Sequence, residues 1–222
     1  MPEHVLPADI ERSSMEIIRA ELMARGIALP SEHAAVITRV IHATADFDFA
    51  ESLRFTPGAV QAGVSALQRG TDIVTDTNMA KAGVSKLSLS RLGGRVHCFM
   101  AEPFVAETAR SQGTTRAAAA MDYASQRHPG AVLAIGNAPT ALYRIAQQIE
   151  AGLRPALVIA VPVGFVNVVE SKERLVEVCE ASGVPAIAAM GRKGGSSVAA
   201  AVCNALLYQA AQLQDPGARG WQ

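Results

Sequence analysis

The sequence predicts an α/β fold: a single domain with a mainly parallel β-sheet, helices on both faces of it, and an N-terminal helical segment ahead of it. Three observations carry this. From Asp72 onward, short apolar runs bounded by turn residues alternate with longer helical stretches, the pattern of parallel strands joined by helical crossovers. The runs are apolar throughout rather than alternating, as strands covered on both faces must be. With 222 residues, half of them hydrophobic, the chain can bury one full core.

Taken in order, Pro7-Ala8-Asp9-Ile10-Glu11 leads into a first helix whose apolar residues recur at three- and four-residue steps until Gly26. Ser31-Glu32-His33 opens a second helix, which carries His42 near its end. Thr56-Pro57-Gly58 opens another running to Gly70, with Pro57 where a first helical turn tolerates it. Three helices are therefore expected before the sheet. The expected strands are Ile73-Val74-Thr75, then Val96 to Phe99, Ala131 to Ile135, Ala156 to Val161 and Pro185 to Ala188. Between and after them, helices are expected over Thr115 to Gln126, Pro139 to Glu150, Glu170 to Ala181 and Ser196 to Gln212. The domain should span residues 1–213, with residues 214–222, around Asp215-Pro216-Gly217, a frayed tail.

Composition excludes several function classes. Lys plus Arg is 20 and Asp plus Glu is 20, so a broad basic face for nucleic acid is not expected, and any anion site must be local. Aromatic residues make up 5%, which suits close helix-on-sheet packing and gives no stacking platform for bases. Cys98, Cys179 and Cys203 are far apart, odd in number and without a CxxC pair, so reduced buried thiols are expected. His97 and Cys98 are adjacent and would point to opposite faces of a strand, while His4, His33 and His128 have no partner at ligand spacing. No bound metal is expected. The N-terminus lacks a basic segment followed by an apolar run, and no apolar stretch reaches membrane-spanning length, so the cytoplasm is the expected location and no membrane partner is expected.

The chemistry centres on Thr38-Arg39-Val40-Ile41-His42. Arg39 and His42 are three residues apart on one helix and share a face, which pairs a fixed cation with a base that titrates near neutrality. The Arg would bind an anionic substrate group and bias the imidazole toward its neutral form. A lone histidine is more often structural, so this pair needs support from the loops at the strand ends, where ligands of such sheets sit. Thr75-Asp76-Thr77-Asn78 follows the first strand. Gly136-Asn137-Ala138-Pro139 follows the third and opens a helix whose N–H groups would suit an anion. Gly191-Arg192-Lys193-Gly194-Gly195-Ser196 follows the fifth and combines two cations with a helix start, a plausible carboxylate or phosphate cradle. It lacks Walker spacing, no GxGxxG follows the first strand, and no GxSxG is present, so NTPase, nicotinamide and serine hydrolase readings have no motif behind them.

Together these stretches resemble the precorrin-8X methylmutase family of cobalamin biosynthesis. The resemblance runs from Ile10-Glu11 with Ser14, through Arg39 to Ala43, Asp76 with Met79, and Gly113-Thr114-Thr115-Arg116, to Ala134-Ile135-Gly136-Asn137-Ala138-Pro139-Thr140-Ala141-Leu142. It continues in Pro162-Val163-Gly164-Phe165-Val166 with Glu170-Ser171-Lys172, and in Gly191 to Ser196. It implies an isomerase that moves a methyl group from C11 to C12 of precorrin-8X or its cobalt form, with no cofactor, in a homodimer whose substrate sites lie near the interface. The catalytic histidine of the family falls on His42. Ser14 and Arg39 fall on substrate-contacting positions, and Asp76, Asn78 and Arg116 on pocket positions. The substrate's acetate and propionate groups would be met by Arg39, Arg116, Arg192, Lys193 and the loop at Asn137. Thr44 to Phe49 departs from the family pattern, and Asp46 and Asp48 receive no role. The competing class is a non-catalytic corrinoid carrier, which would need the cations but has little use for a titratable group facing the ring.

Overall fold

The computed structural model describes residues 6–219. The N-terminal segment forms α1 (Pro7–Ala24), α2 (Ser31–Thr44) and the single turn α3 (Phe49–Ser52). After these come β1 (Leu53–Phe55), α4 (Ala59–Gln68), β2 (Ile73–Thr75), α5 (Asn78–Gly83), α6 (Lys86–Arg91) and β3 (Val96–His97). The second half alternates regularly: α7 (Pro103–Ser111), α8 (Arg116–Arg127), β4 (Val132–Ile135), α9 (Pro139–Glu150), β5 (Leu157–Ala160), α10 (Val168–Ser182), β6 (Ala186–Ala189) and α11 (Ser196–Ala210).

The strands make one sheet in the order β1-β6-β5-β4-β2-β3, parallel except for β1, which runs antiparallel to β6 with Arg54 opposite Ala188. Central strands are buried on both sides, and the pleat divides their side chains between two cores. Val132, Ala134, Leu157 and Ile159 face α2, α4 and α11, where Val40, Val64 and Val202 meet them. Leu133, Ile135, Val158 and Ala160 face α8, α9 and α10, packing with Met121, Ile145 and Leu175. Small residues let these layers approach closely. At Gly136, where β4 ends, an added Cβ would lie 2.8 Å from the Ser196 Cα at the start of α11.

Three sequence expectations need correction. The helices do not all precede the sheet, because β1 lies between α3 and α4. Three residues long and carrying the exposed Arg54, it has the form of a blunted edge strand and gives no apolar run to recognise. The short α5, α6 and α7 between β2 and α8 were also not expected. The expected tail is packed in its described part: Pro216–Arg219 forms a 3-10 turn and Arg219 is buried. His4 lies outside the described residues.

Candidate active site

Helix α2 packs Val36, Ile37, Val40 and Ile41 into the core, which turns Arg39 and His42 toward the opposite side. There they line a cleft of about 730 Å3 between α2, the N-terminal turns of α1, the α5–α6 corner and α11. The volume is in the range of small-molecule sites. Small residues, Ala82 and Gly83 on one wall and Ala200 and Ala201 on another, keep the walls flat and apolar. Asn204 joins those walls, accepting from the Ser85 N–H at 2.7 Å and donating to the Gly83 carbonyl at 2.9 Å.

The charge in the cleft is arranged around Glu11, which lies on the buried face of α1. It accepts from Arg39 at 2.5 Å and from Arg219 at 2.6 Å. Burial alone would raise the Glu11 pKa, but hydrogen bonds from both guanidinium groups outweigh it and hold the carboxyl below its ordinary value. Arg219 is fixed further by the carbonyls of Leu213 and Gln214, and it lies 3.7 Å from the Tyr208 ring centre, over whose face Arg39 also sits at 5.2 Å. Two cations therefore share one carboxylate, leaving a net positive cluster beside His42. Burial, then Arg39, with a smaller contribution from Arg219, lowers the His42 pKa, and Glu11 partly opposes them. A half-buried imidazole depressed in this way is neutral in the free cleft at pH 7 and, once protonated, is a stronger acid than an ordinary histidine.

The other expected site residues are placed elsewhere. Ser14 sits one turn along α1 from the cleft rim, its hydroxyl donating to the Ile10 carbonyl at 2.8 Å, and it is not among the residues lining the cleft. Asn78, Asn137, Arg116 and Arg192 are exposed around the carboxyl ends of the strands, Arg192 with its guanidinium over the Phe165 ring at 5.6 Å. Asp76 is corrected from a substrate contact to a positioning residue. It is 1% exposed, and its carboxylate accepts from the N–H groups of Gly136, Asn137 and Ala138, each at 2.8 Å. Burial raises its pKa and the three N–H groups act against that rise. The donors expected to await an external anion at the start of α9 are thus already occupied.

Lys193 is likewise not an open cation. Its Nζ bonds Asp46 at 2.7 Å and Asp48 at 2.6 Å, which raise its pKa, so the two acids given no role in the sequence reading neutralise it. The loop it belongs to is held from below by Lys172, which has no exposed surface and donates to the carbonyls of Gly191 and Lys193 at 2.8 and 2.9 Å. Burial pushes its pKa down to about 8. Gly194 completes the packing, since a Cβ there would lie 2.2 Å from the Val161 carbonyl oxygen.

Sequence reasoning assigned no role to Glu11, Arg219, Tyr208 or Asn204. Only Glu11 carried a local signal, a carboxylate in the buried stripe of Ala8, Ile18 and Leu22 that demands a partner.

Comparison with known proteins agrees with this architecture. The precorrin-8X methylmutase family profile matches residues 9–209. A cobalt-precorrin-8 methylmutase of Salmonella typhimurium is 46% identical over 79% of this chain and 81% of its own length. A precorrin-8X methylmutase of Pseudomonas aeruginosa is 43% identical over 89% of this chain and 93% of its own. The crystal structure of the precorrin-8X methylmutase of Thermus thermophilus superimposes with a TM-score of 0.81 at 40% identity, covering 91% of this chain and 98% of that one. By profile, sequence and fold alike, the chain belongs to the precorrin-8X methylmutase family, isomerases of cobalamin biosynthesis.

Proposed function

We propose that this chain moves the methyl group of precorrin-8X, or of its cobalt form, from C11 to C12, with His42 as the proton donor. The supporting observation is an imidazole, the single one among the described residues of the cleft, placed in a large, mostly apolar space beside a positive cluster. A 1,5-migration within a conjugated macrocycle breaks one C–C bond and makes another, so it needs neither a nucleophile nor a redox partner. Protonating a pyrrolic nitrogen withdraws electron density from the ring and lowers the barrier. Arg39 would meet a substrate carboxylate at the cleft, with Arg219 fixed behind it by Glu11. A carrier of corrinoids has no comparable use for the depressed imidazole, and the relatives are named as enzymes.

We further infer a homodimer with the sites near its interface. Helix α1 and its N-cap expose Leu6, Ile10, Ile17 and Met23, a mostly apolar groove of about 700 Å3 runs between α1 and α2, and Ile10 also borders the cleft. A cytoplasmic setting suits the three free, buried cysteines. The test is incubation with precorrin-8X and, separately, its cobalt form, following the visible spectrum as conjugation is completed. A spectrum that stays unchanged with both would refute the assignment, and a monomeric mass in sedimentation at full activity would refute the dimer.

A further inference from the structure

We propose that Asp72, His97 and His128 form a binding site for a divalent transition-metal ion of the Zn2+ class. The three lie at the amino end of β2, and they share no residue with the His42 cleft. Sequence spacing hid them, because the ligands are 25 and 31 residues apart in succession and meet only when β3 pairs with β2 and α8 ends over both.

The Asp72 Oδ2 atom lies 3.3 Å from His97 Nε2 and 3.1 Å from His128 Nδ1, and the three ligand atoms all fall within 4.8 Å of one another. A tetrahedral ion with arms of about 2.0–2.1 Å has ligand edges of roughly 3.3–3.4 Å. The two edges that meet at Asp72 are thus close to those of such a site before any ion enters. As plain hydrogen bonds, both imidazoles would have to deliver a proton to one oxygen, whereas an ion uses the three lone pairs directly. The other carboxylate oxygen accepts from the Arg95 N–H at 2.8 Å, which fixes the Asp72 rotamer. The imidazoles stack on each other at 4.5 Å and on the Phe99 ring at 5.8 and 5.9 Å, so neither is loose. The side chains of Asp72, His97 and His128 are 28%, 25% and 23% exposed, which admits a water molecule to a fourth position. Imidazole and carboxylate donors suit Zn2+, Co2+ and Ni2+ better than Mg2+ or Ca2+.

The ion would join three elements at the sheet edge. Strand β3 is two residues long and, among the described residues, pairs only with β2, so a shared ligand from α8 would tie down a weak margin. The test uses full-length, tag-free protein stripped with a chelator, titrated with Zn2+ by calorimetry and with Co2+ by its visible absorption. One equivalent should bind saturably, and the melting temperature should rise with free Zn2+. His97→Gln and His128→Gln should each weaken binding by at least about tenfold and flatten the thermal response. Absence of saturable binding in the unmodified protein would overturn the proposal and leave a hydrogen-bonded triad. So would equal binding in both folded variants. If the variants do not fold, paramagnetic Co2+ in the unmodified protein still decides, by broadening the His97 and His128 resonances or, against the proposal, others.

Discussion

Replacing Glu11 by Gln keeps the side chain's shape and removes the charge that two arginines share. The Glu11, Arg219 and Arg39 side chains are 8%, 4% and 15% exposed, so the loss leaves two guanidinium groups facing each other with little solvent. Breaking a buried pair by removing one partner costs about 3–5 kcal/mol. Arg219 retains two carbonyl acceptors and the Tyr208 face, which argues for the lower end, about 3 kcal/mol. In a domain of this size each kcal/mol moves the melting temperature by about 2–4 °C, so Glu11→Gln should melt about 6–12 °C lower. The substitution also removes the one neighbour that raises the His42 pKa, so that pKa should fall further. Arg39→Ala should move it the other way. Calorimetry supplies the first number, and NMR titration of the imidazole, assigned through a His42→Gln control, supplies the second. Melting within about 1 °C of the unmodified protein, far inside the effect expected for a buried pair, would refute the counter-charge role. Shifts of the same sign in both variants would refute the electrostatic account of His42.

His42→Ala should abolish the methyl shift while corrinoid binding and circular dichroism stay near normal, because among the described residues no side-chain hydrogen bond depends on it; near-normal turnover would count against proton transfer. Arg39→Ala should weaken binding about ten- to a hundredfold, the equivalent of losing a charge-assisted contact of about 1.5–3 kcal/mol, read by fluorescence quenching. In the same variant, turnover that depends on protonated His42 should persist to higher pH, because relief of repulsion raises the imidazole pKa. Glu11, with its folded pKa below the ordinary 4.5, contributes stability that is present above that value and lost as pH falls through the lowered one; acid unfolding should therefore be flatter there in Glu11→Gln. Lys172→Ala leaves the Gly191 and Lys193 carbonyls without a donor at about 1–2 kcal/mol each, so a denaturant midpoint lower by about 2–4 kcal/mol in free energy is expected.

What the sequence disclosed was whatever depends on near neighbours. Ile73-Val74-Thr75 could be assigned because a fully apolar run needs cover on both faces, and Arg39 and His42 could be paired because three residues of helix bring them to one side. Strand β1 escaped because three residues, one of them an exposed Arg, carry no period. The helices α5 and α6, six residues each, are too short to show one. Contacts between distant residues were hidden altogether. Glu11 and Arg219 are 208 positions apart, and nothing near Arg219 distinguishes it from a solvated tail. Asp76 falls on a pocket position by resemblance and stands in the loop after the first expected strand, yet three amide groups 60 to 62 residues away turn it inward.

The carboxylate of Asp76 has a wider meaning for what this architecture binds. Between β2 and β4 the chain departs in opposite directions, to β3 on one side and to β5 on the other, and in open sheets that parting is the crevice where cofactors with phosphate groups settle. Here the crevice is plugged by a carboxyl group that belongs to the polypeptide. A pyrophosphate arriving at the start of α9 would find the amides of Gly136, Asn137 and Ala138 already taken by Asp76. The sheet's ordinary berth is closed from within, and the cleft that holds His42 lies to the side, between the helices that flank the sheet, where the proposed broad, flat substrate would have room that a crevice between two strands does not provide.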